Sequence, residues 1–96
     1  MPDESAVPPS IIRAAPNPFS RSTQLTLDVS GHPPVSMSVF DAQGRLVREL
    51  ARNTIVEGNV TWDGADAQGR PVPGGVYLVR VDRQEQISQT RVTVVR

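Results

Sequence analysis

Apolar and polar residues alternate with a period of two along most of the chain, and no 3.6-residue period persists long enough to specify a helix. Leu25, Leu27 and Val29 alternate with Gln24, Thr26 and Asp28, which predicts a strand over Thr23–Val29 with one face turned inward. The same spacing in Val35, Met37 and Val39, set against Ser36, Ser38 and Phe40, predicts a second half-buried strand with Phe40 on its outer face. Tyr77, Val79 and Val81 predict a strand over Val76–Val81, and Thr90, Val92 and Val94 another from Gln86 onward. Ile11–Ala15 reads as a short first strand stopped by Pro16-Asn17-Pro18, because proline removes ladder donors and disfavours helix on either side. Val60 and Trp62 share one face of a strand beginning at Glu57. Arg45–Leu50 alternates imperfectly. Its Val47 and Leu50 fit one helical turn, but an isolated turn does not hold, so a strand with a bulge or frayed end is expected. Asp41-Ala42-Gln43-Gly44, with Asp first and Gly last, suits a type I turn closing a hairpin.

Seven short strands at intervals of roughly 8–12 residues predict an all-β, seven-stranded antiparallel sandwich of immunoglobulin or fibronectin type III kind. Composition agrees. Valine is the commonest residue at 14, and Val, Ile and Thr together make 24 of 96, as strands favour. Nine prolines and seven glycines cluster between the apolar stretches. At 96 residues the chain holds one domain, read as a linker or tail over 1–10 followed by the sandwich over 11–96. There are four aromatics, of which Phe19, Trp62 and Tyr77 are expected as core anchors and Phe40 faces out.

Ten basic and ten acidic residues leave a formal net charge of zero. Affinity for nucleic acid or an anionic membrane surface is therefore not expected. No apolar run reaches the ~18 residues of a membrane span, so no membrane insertion is expected, and MPDESAVPPS lacks a secretion-leader pattern; Met1-Pro2 reads as the opening of an excised fragment. All ten basic residues are arginine.

Catalysis needs a nucleophile and a base, or converging carboxylates. The chain has no cysteine, and its one histidine, His32, sits in a Gly-Pro turn and reads as a solvated loop residue. No enzyme and no organic cofactor is expected. Asp63 and Asp66 lie in a long turn-rich stretch, DGADAQGRPVPGG. Such a loop is functional or tightly self-bonded. The two carboxylates are candidate calcium ligands, with turn chemistry as the competing reading, because the five spaced oxygens and terminal Glu of a dedicated calcium loop are missing. Asn59-Val60-Thr61 matches a glycosylation sequon, a triplet that often arises by chance, and is read in preference as two outward polar residues flanking a buried Val60.

NPFSRSTQLTLDV, VSMSVFDAQGRLVREL, EGNVTWDGADAQGRPVPGGVYLVRV and TRVTVVR together resemble the immunoglobulin-like domain shared by flagellar hook-capping proteins and the C-terminal sorting domains of type IX (Por) secretion cargo. The resemblance covers residues 14 to 96. It is carried by Asn17-Pro18-Phe19, Asp41-x-x-Gly44-Arg45, Trp62-Asp63-Gly64-x-Asp66-x-x-Gly69 and Pro73-x-Gly75-x-Tyr77 followed by a basic last strand with Arg91 and Arg96. It implies a seven-stranded sandwich in an exported protein, attached to an upstream cargo domain, found extracellularly or at the cell surface, and read by an outer-membrane translocon.

The expected function is a non-catalytic C-terminal secretion or sorting module whose partners are the secretion machinery or neighbouring protein domains, with the last hairpin, Val76 to Arg96, in its recognition surface. A structural spacer domain of the hook-cap type is the alternative. An accessory carbohydrate-binding domain is a third reading, weakened by the scarcity of aromatics for a binding face.

Overall fold

The computed structural model describes residues 10–28, 34–56, 58–84 and 86–96. The expected tail, apart from Ser10, and the turn holding His32 lie outside the described residues. Seven strands follow in order: β1 (Ser10–Ala15), β2 (Thr23–Asp28), β3 (Pro34–Phe40), β4 (Leu46–Ile55), β5 (Asn59–Trp62), β6 (Gly75–Arg83) and β7 (Gln86–Val94). They form a three-stranded sheet in the order β1-β2-β5 and a four-stranded sheet in the order β4-β3-β6-β7. Every ladder within the two sheets is antiparallel. This is the immunoglobulin-like sandwich that the alternation predicts.

The inward positions of the two sheets meet as one core. Val35, Met37, Val39, Tyr77, Val79, Val81, Val92 and Val94 come from the four-stranded sheet; Leu25 and Trp62 come from the other. Trp62 stands at the centre, with Phe19 and Tyr77 edge-on to it at ring centroid distances of 5.4 and 5.5 Å. Edge-to-face packing sets positive ring edges against negative faces. The three expected anchors are therefore one stack. Thr23 is the buried polar side chain of this layer, and its hydroxyl donates to the Pro16 carbonyl at 2.8 Å.

One strand departs from expectation. β4 runs to Ile55 rather than ending at Leu50, pairing with β3 as far as Pro34↔Ile55. Three register shifts interrupt that ladder, and each reverses which residues face inward. Alternation read along the sequence consequently loses the strand where the first shifts occur. The bulge expected there is present. The β6–β7 hairpin is the regular one, paired from Gly75↔Val94 to Arg83↔Gln86. Its turn carries Gln84 at φ +47°, the sign that two-residue hairpin turns require. Phe40 lies half-buried on the outer side of β3, between Leu46 on β4 and Leu78 on β6.

Both edges of the four-stranded sheet are partly covered. Along β7, Phe19 N–H donates to the Thr93 carbonyl at 2.9 Å, and Val95 N–H to the Phe19 carbonyl at 2.8 Å, a parallel bridge outside the main ladders. Along β4, Ala67 N–H donates to the Val47 carbonyl at 3.2 Å. Covering an edge in this way withdraws backbone groups that would otherwise pair with other chains.

Candidate functional site

The residues singled out in the sequence converge at one pole of the sandwich, where β3, β5 and β7 end and β4 and β6 begin. Asn17-Pro18-Phe19 is a strap crossing from the three-stranded sheet onto β7. The Asn17 side chain donates to the Arg91 carbonyl at 3.2 Å and accepts from Thr93 N–H at 3.0 Å. An asparagine amide has one donor and one acceptor group side by side, so it mimics a strand partner. Phe19 then turns inward against Trp62.

Asp41 and Asp66 organise two turns of the same construction. Asp41 Oδ1 accepts from the backbone N–H groups of Gln43 and Arg45 at 3.0 and 2.9 Å, and Arg45 Nε donates to Oδ2 at 2.8 Å. Asp66 Oδ1 accepts from Gln68 and Arg70 N–H at 2.9 and 3.0 Å, with Arg70 Nε 3.6 Å from Oδ2. Gly44 and Gly69 close the turns at φ +84° and +81°. The signal was in the sequence and was missed: the pentapeptide Asp-Ala-Gln-Gly-Arg occurs at both 41–45 and 66–70. Backbone bonding to the charged form, foremost from Arg45 and from Arg70, holds the Asp41 and Asp66 carboxyls below the ordinary carboxylate value.

The 63–75 loop is self-bonded. Trp62 Nε1 donates to the Ala65 carbonyl at 3.0 Å, Ala65 N–H to Asp63 Oδ1 at 3.1 Å, and Ala65 bridges to Pro71. Arg48 reaches across from β4 and donates to Asp63 Oδ1 at 3.1 Å. Each carboxylate of the proposed calcium pair thus accepts backbone N–H groups and has a guanidinium beside it. A cation there would share each carboxylate with a guanidinium. Among the described residues no three His, Cys, Asp or Glu side chains group closely enough to hold a metal.

Arg96 fastens the pole together. Its Nε donates to the Val72 carbonyl at 2.9 Å, Nη1 to Ser20 at 2.9 Å and Nη2 to Gly64 at 2.8 Å. The guanidinium thereby joins the loop, the strap and the last strand, using the planar fork that lysine lacks. Gly64 is required beneath it. With φ +72°, a Cβ there would stand 3.0 Å from Arg96 Nη2 and 3.3 Å from Phe19 Cε2. Sequence reasoning assigned Arg96 a recognition role and missed this clamp, since no local pattern links residue 96 to 20, 64 and 72.

Pro73 and Gly75 deliver the chain into β6, and the Tyr77 hydroxyl donates to the Pro73 carbonyl at 2.6 Å. Burial pushes the Tyr77 phenol up, and the nearby Asp41 carboxylate adds to the effect. Between the twin turns lies an open cleft of about 580 Å³, floored by Val72 and Tyr77 and rimmed by Gln43, Leu46, Gln68 and Val76. Arg91 stands apart, exposed on the outer side of β7 opposite Leu78. Asn59 and Thr61 are exposed around a half-buried Val60, with the Asn59 amide bonded to Gln24 and Thr26.

No nucleophile is paired with a base anywhere among these groups, and the motif residues hold backbone geometry. The fold and site define a small immunoglobulin-like module. Compared with known families, residues 17–86 match the FlgD Ig-like domain, and the chain belongs to that family. No curated protein matches the chain in sequence. Among solved structures it is similar to PorZ of Porphyromonas gingivalis, described as an essential bacterial surface component of the type IX secretion system. The TM-score is 0.64 at 26% identity, over 88% of this chain and 11% of PorZ. It is also similar in fold to dimeric latent PorU of the same organism, with TM-score 0.67 at 20% identity over 97% of this chain and 10% of PorU. The chain thus spans about a tenth of the length of each of these proteins.

Proposed function

We propose that this chain is a non-catalytic secretion or sorting module of an exported bacterial protein, carried beside a cargo domain and engaged by type IX secretion machinery at the outer membrane. The observation that supports this reading is the similarity to a domain-sized part of PorZ, a surface component of that system, at 26% identity. The rigid pole suits such a role. Twin Asp turns, the Asn17 strap and the Arg96 clamp fix backbone geometry without mobile chemistry, as a surface read by a partner requires. In this reading the last hairpin, with Arg91 on its outer side, belongs to the recognised surface.

The test is fusion of the 96-residue chain to a periplasmic reporter in a host that has the type IX system. Surface delivery that disappears in a strain lacking the translocon is expected. A reporter that stays in the periplasm of the competent host overturns the sorting reading. That result favours a spacer role, in which the domain separates its neighbours within a long chain, as the one-tenth coverage of PorZ and PorU suggests.

A further inference from the structure

The two sheets differ in what they show to solvent. Outside the three-stranded sheet stand Arg13, Gln24, Thr26, Asn59 and Thr61, several of them hydrogen-bonded to one another. Outside the four-stranded sheet, apolar residues stand towards its two ends, with the polar row Glu49–Ser38–Arg80–Gln89 between them. Leu46, Ile55, Val76 and Ile87 are between 41% and 59% exposed, and the registers set all four on its outer side. Phe40 and Leu78 are cross-strand neighbours in the row Leu46–Phe40–Leu78–Arg91 next to the pole, and remain only half-buried. Phe40, Leu46, Val76 and Leu78 gather at the pole end of this face, and a contiguous exposed apolar patch of this kind marks an interaction surface.

Charge adds direction. Arg91 lies opposite Leu78, and Arg80 lies opposite Gln89 on the same face. Arg80 is 3.4 Å from Asp82, whereas Arg91 has no acidic partner within ion-pair distance among the described residues. Among the described residues Glu49 is the other carboxylate on this side, and Arg52 holds it through two hydrogen bonds. A shallow groove of about 190 Å³ runs beside Phe40, Gly44, Leu78, Arg80 and Gln89. A volume of ~150 Å³ accommodates a benzene ring, so the groove has room for one large side chain. The apolar end of the face, made by Phe40, Leu46, Val76 and Leu78 with the two central residues half-buried, exposes less than the ~800 Å² of accessible surface that each partner of a stable protein complex buries. A second folded copy is therefore poorly matched, and a peptide segment is well matched.

We propose that the outer face of the four-stranded sheet binds an acidic protein segment, which seats one large apolar side chain beside Phe40 and Leu78 and sets carboxylates against Arg80 and Arg91. The inference rests on the reading of the chain as a non-catalytic recognition module. It does not depend on that module being a sorting signal.

The test is an amide NMR titration of the ¹⁵N-labelled chain with a blocked nonapeptide in which a central leucine is flanked by alternating glutamate and serine. Shifts are expected at Phe40, Leu78, Gln89 and Arg91, with the face bearing Gln24 and Asn59 silent. Replacing glutamate by lysine, or leucine by serine, should weaken binding by at least about tenfold, corresponding to ~1.4 kcal/mol. F40S and R91E should each weaken it several-fold; R91E lies on an exposed side chain and keeps the test valid if F40S fails to fold. The proposal is overturned if shifts are absent, if they fall on the other sheet, or if the lysine peptide binds equally. It is also overturned if ultracentrifugation shows the chain self-associating through these same amides. Reporter export, measured separately, reports on sorting alone.

Discussion

Arg96 shows how a single terminal side chain joins distant segments. Hydrogen bonds from a charged group are worth about 1.5–3 kcal/mol in favourable surroundings, and the partial exposure here lowers that figure. Arg96→Met, which keeps the stem and removes the fork, is expected to destabilise the domain by about 2 kcal/mol in urea unfolding. Gly64→Ala should cost ~1–3 kcal/mol, because it combines a positive φ with a Cβ pressed on the same guanidinium. Equal stability of both variants with the parent would refute the clamp. The Asp41 and Asp66 carboxyls have folded pKa values lowered from 3.8. Their contribution is present in full above that value and is lost as pH falls below it through the folded values. The difference in Tm between the parent and the D41N/D66N double variant should therefore shrink from pH 7 to pH 2. A constant difference would mean that the charge is not what the turns use.

At the scale of elements, the strap and the long loop carry the family's motifs yet belong to no strand of the sheets. Asn17→Ala is expected to destabilise by about 1–2 kcal/mol, as loss of a capping side chain does, and to speed hydrogen exchange at the Thr93 amide, which donates to it. Unchanged exchange there would show that the Phe19 bridge suffices. For the loop, calcium titration is expected to give no binding heat and no rise in Tm, since a guanidinium stands beside each of Asp63 and Asp66 and no third acidic, His or Cys side chain groups with them among the described residues. A rise in Tm with calcium would restore the ion-loop reading.

For the whole molecule, the Phe19–Trp62–Tyr77 stack touches both sheets and the strap, so no sheet has a core of its own. Unfolding should be a single transition, with Trp62 fluorescence and far-ultraviolet circular dichroism coinciding within error. Separate midpoints would reveal a sheet that survives alone. The match to the FlgD Ig-like family spans residues 17–86, and the motif residues within it act as fold determinants: Gly44 and Gly69 close turns, Asn17 pairs with β7, and Tyr77 is tied to Pro73. Their match accordingly speaks for architecture, and function has to be tested at surfaces.

The sequence by itself determined the sandwich. Period-two alternation, β-branched composition and the Asp-x-x-Gly turn are local signals, and each residue's inward or outward setting follows from its neighbours two positions away. It also placed Phe40 outside and Phe19, Trp62 and Tyr77 in the core. Only the tertiary structure decided the rest. The length of β4 was hidden because bulges reverse alternation without any change in composition. The clamp of Arg96 on residues 20, 64 and 72, and the seating of Asn17 on β7, join positions far apart in the chain, and no spacing rule encodes such contacts. The apolar patch of Phe40, Leu46, Val76 and Leu78 likewise exists only once β4, β3 and β6 lie side by side, since each strand contributes just one or two apolar residues to it.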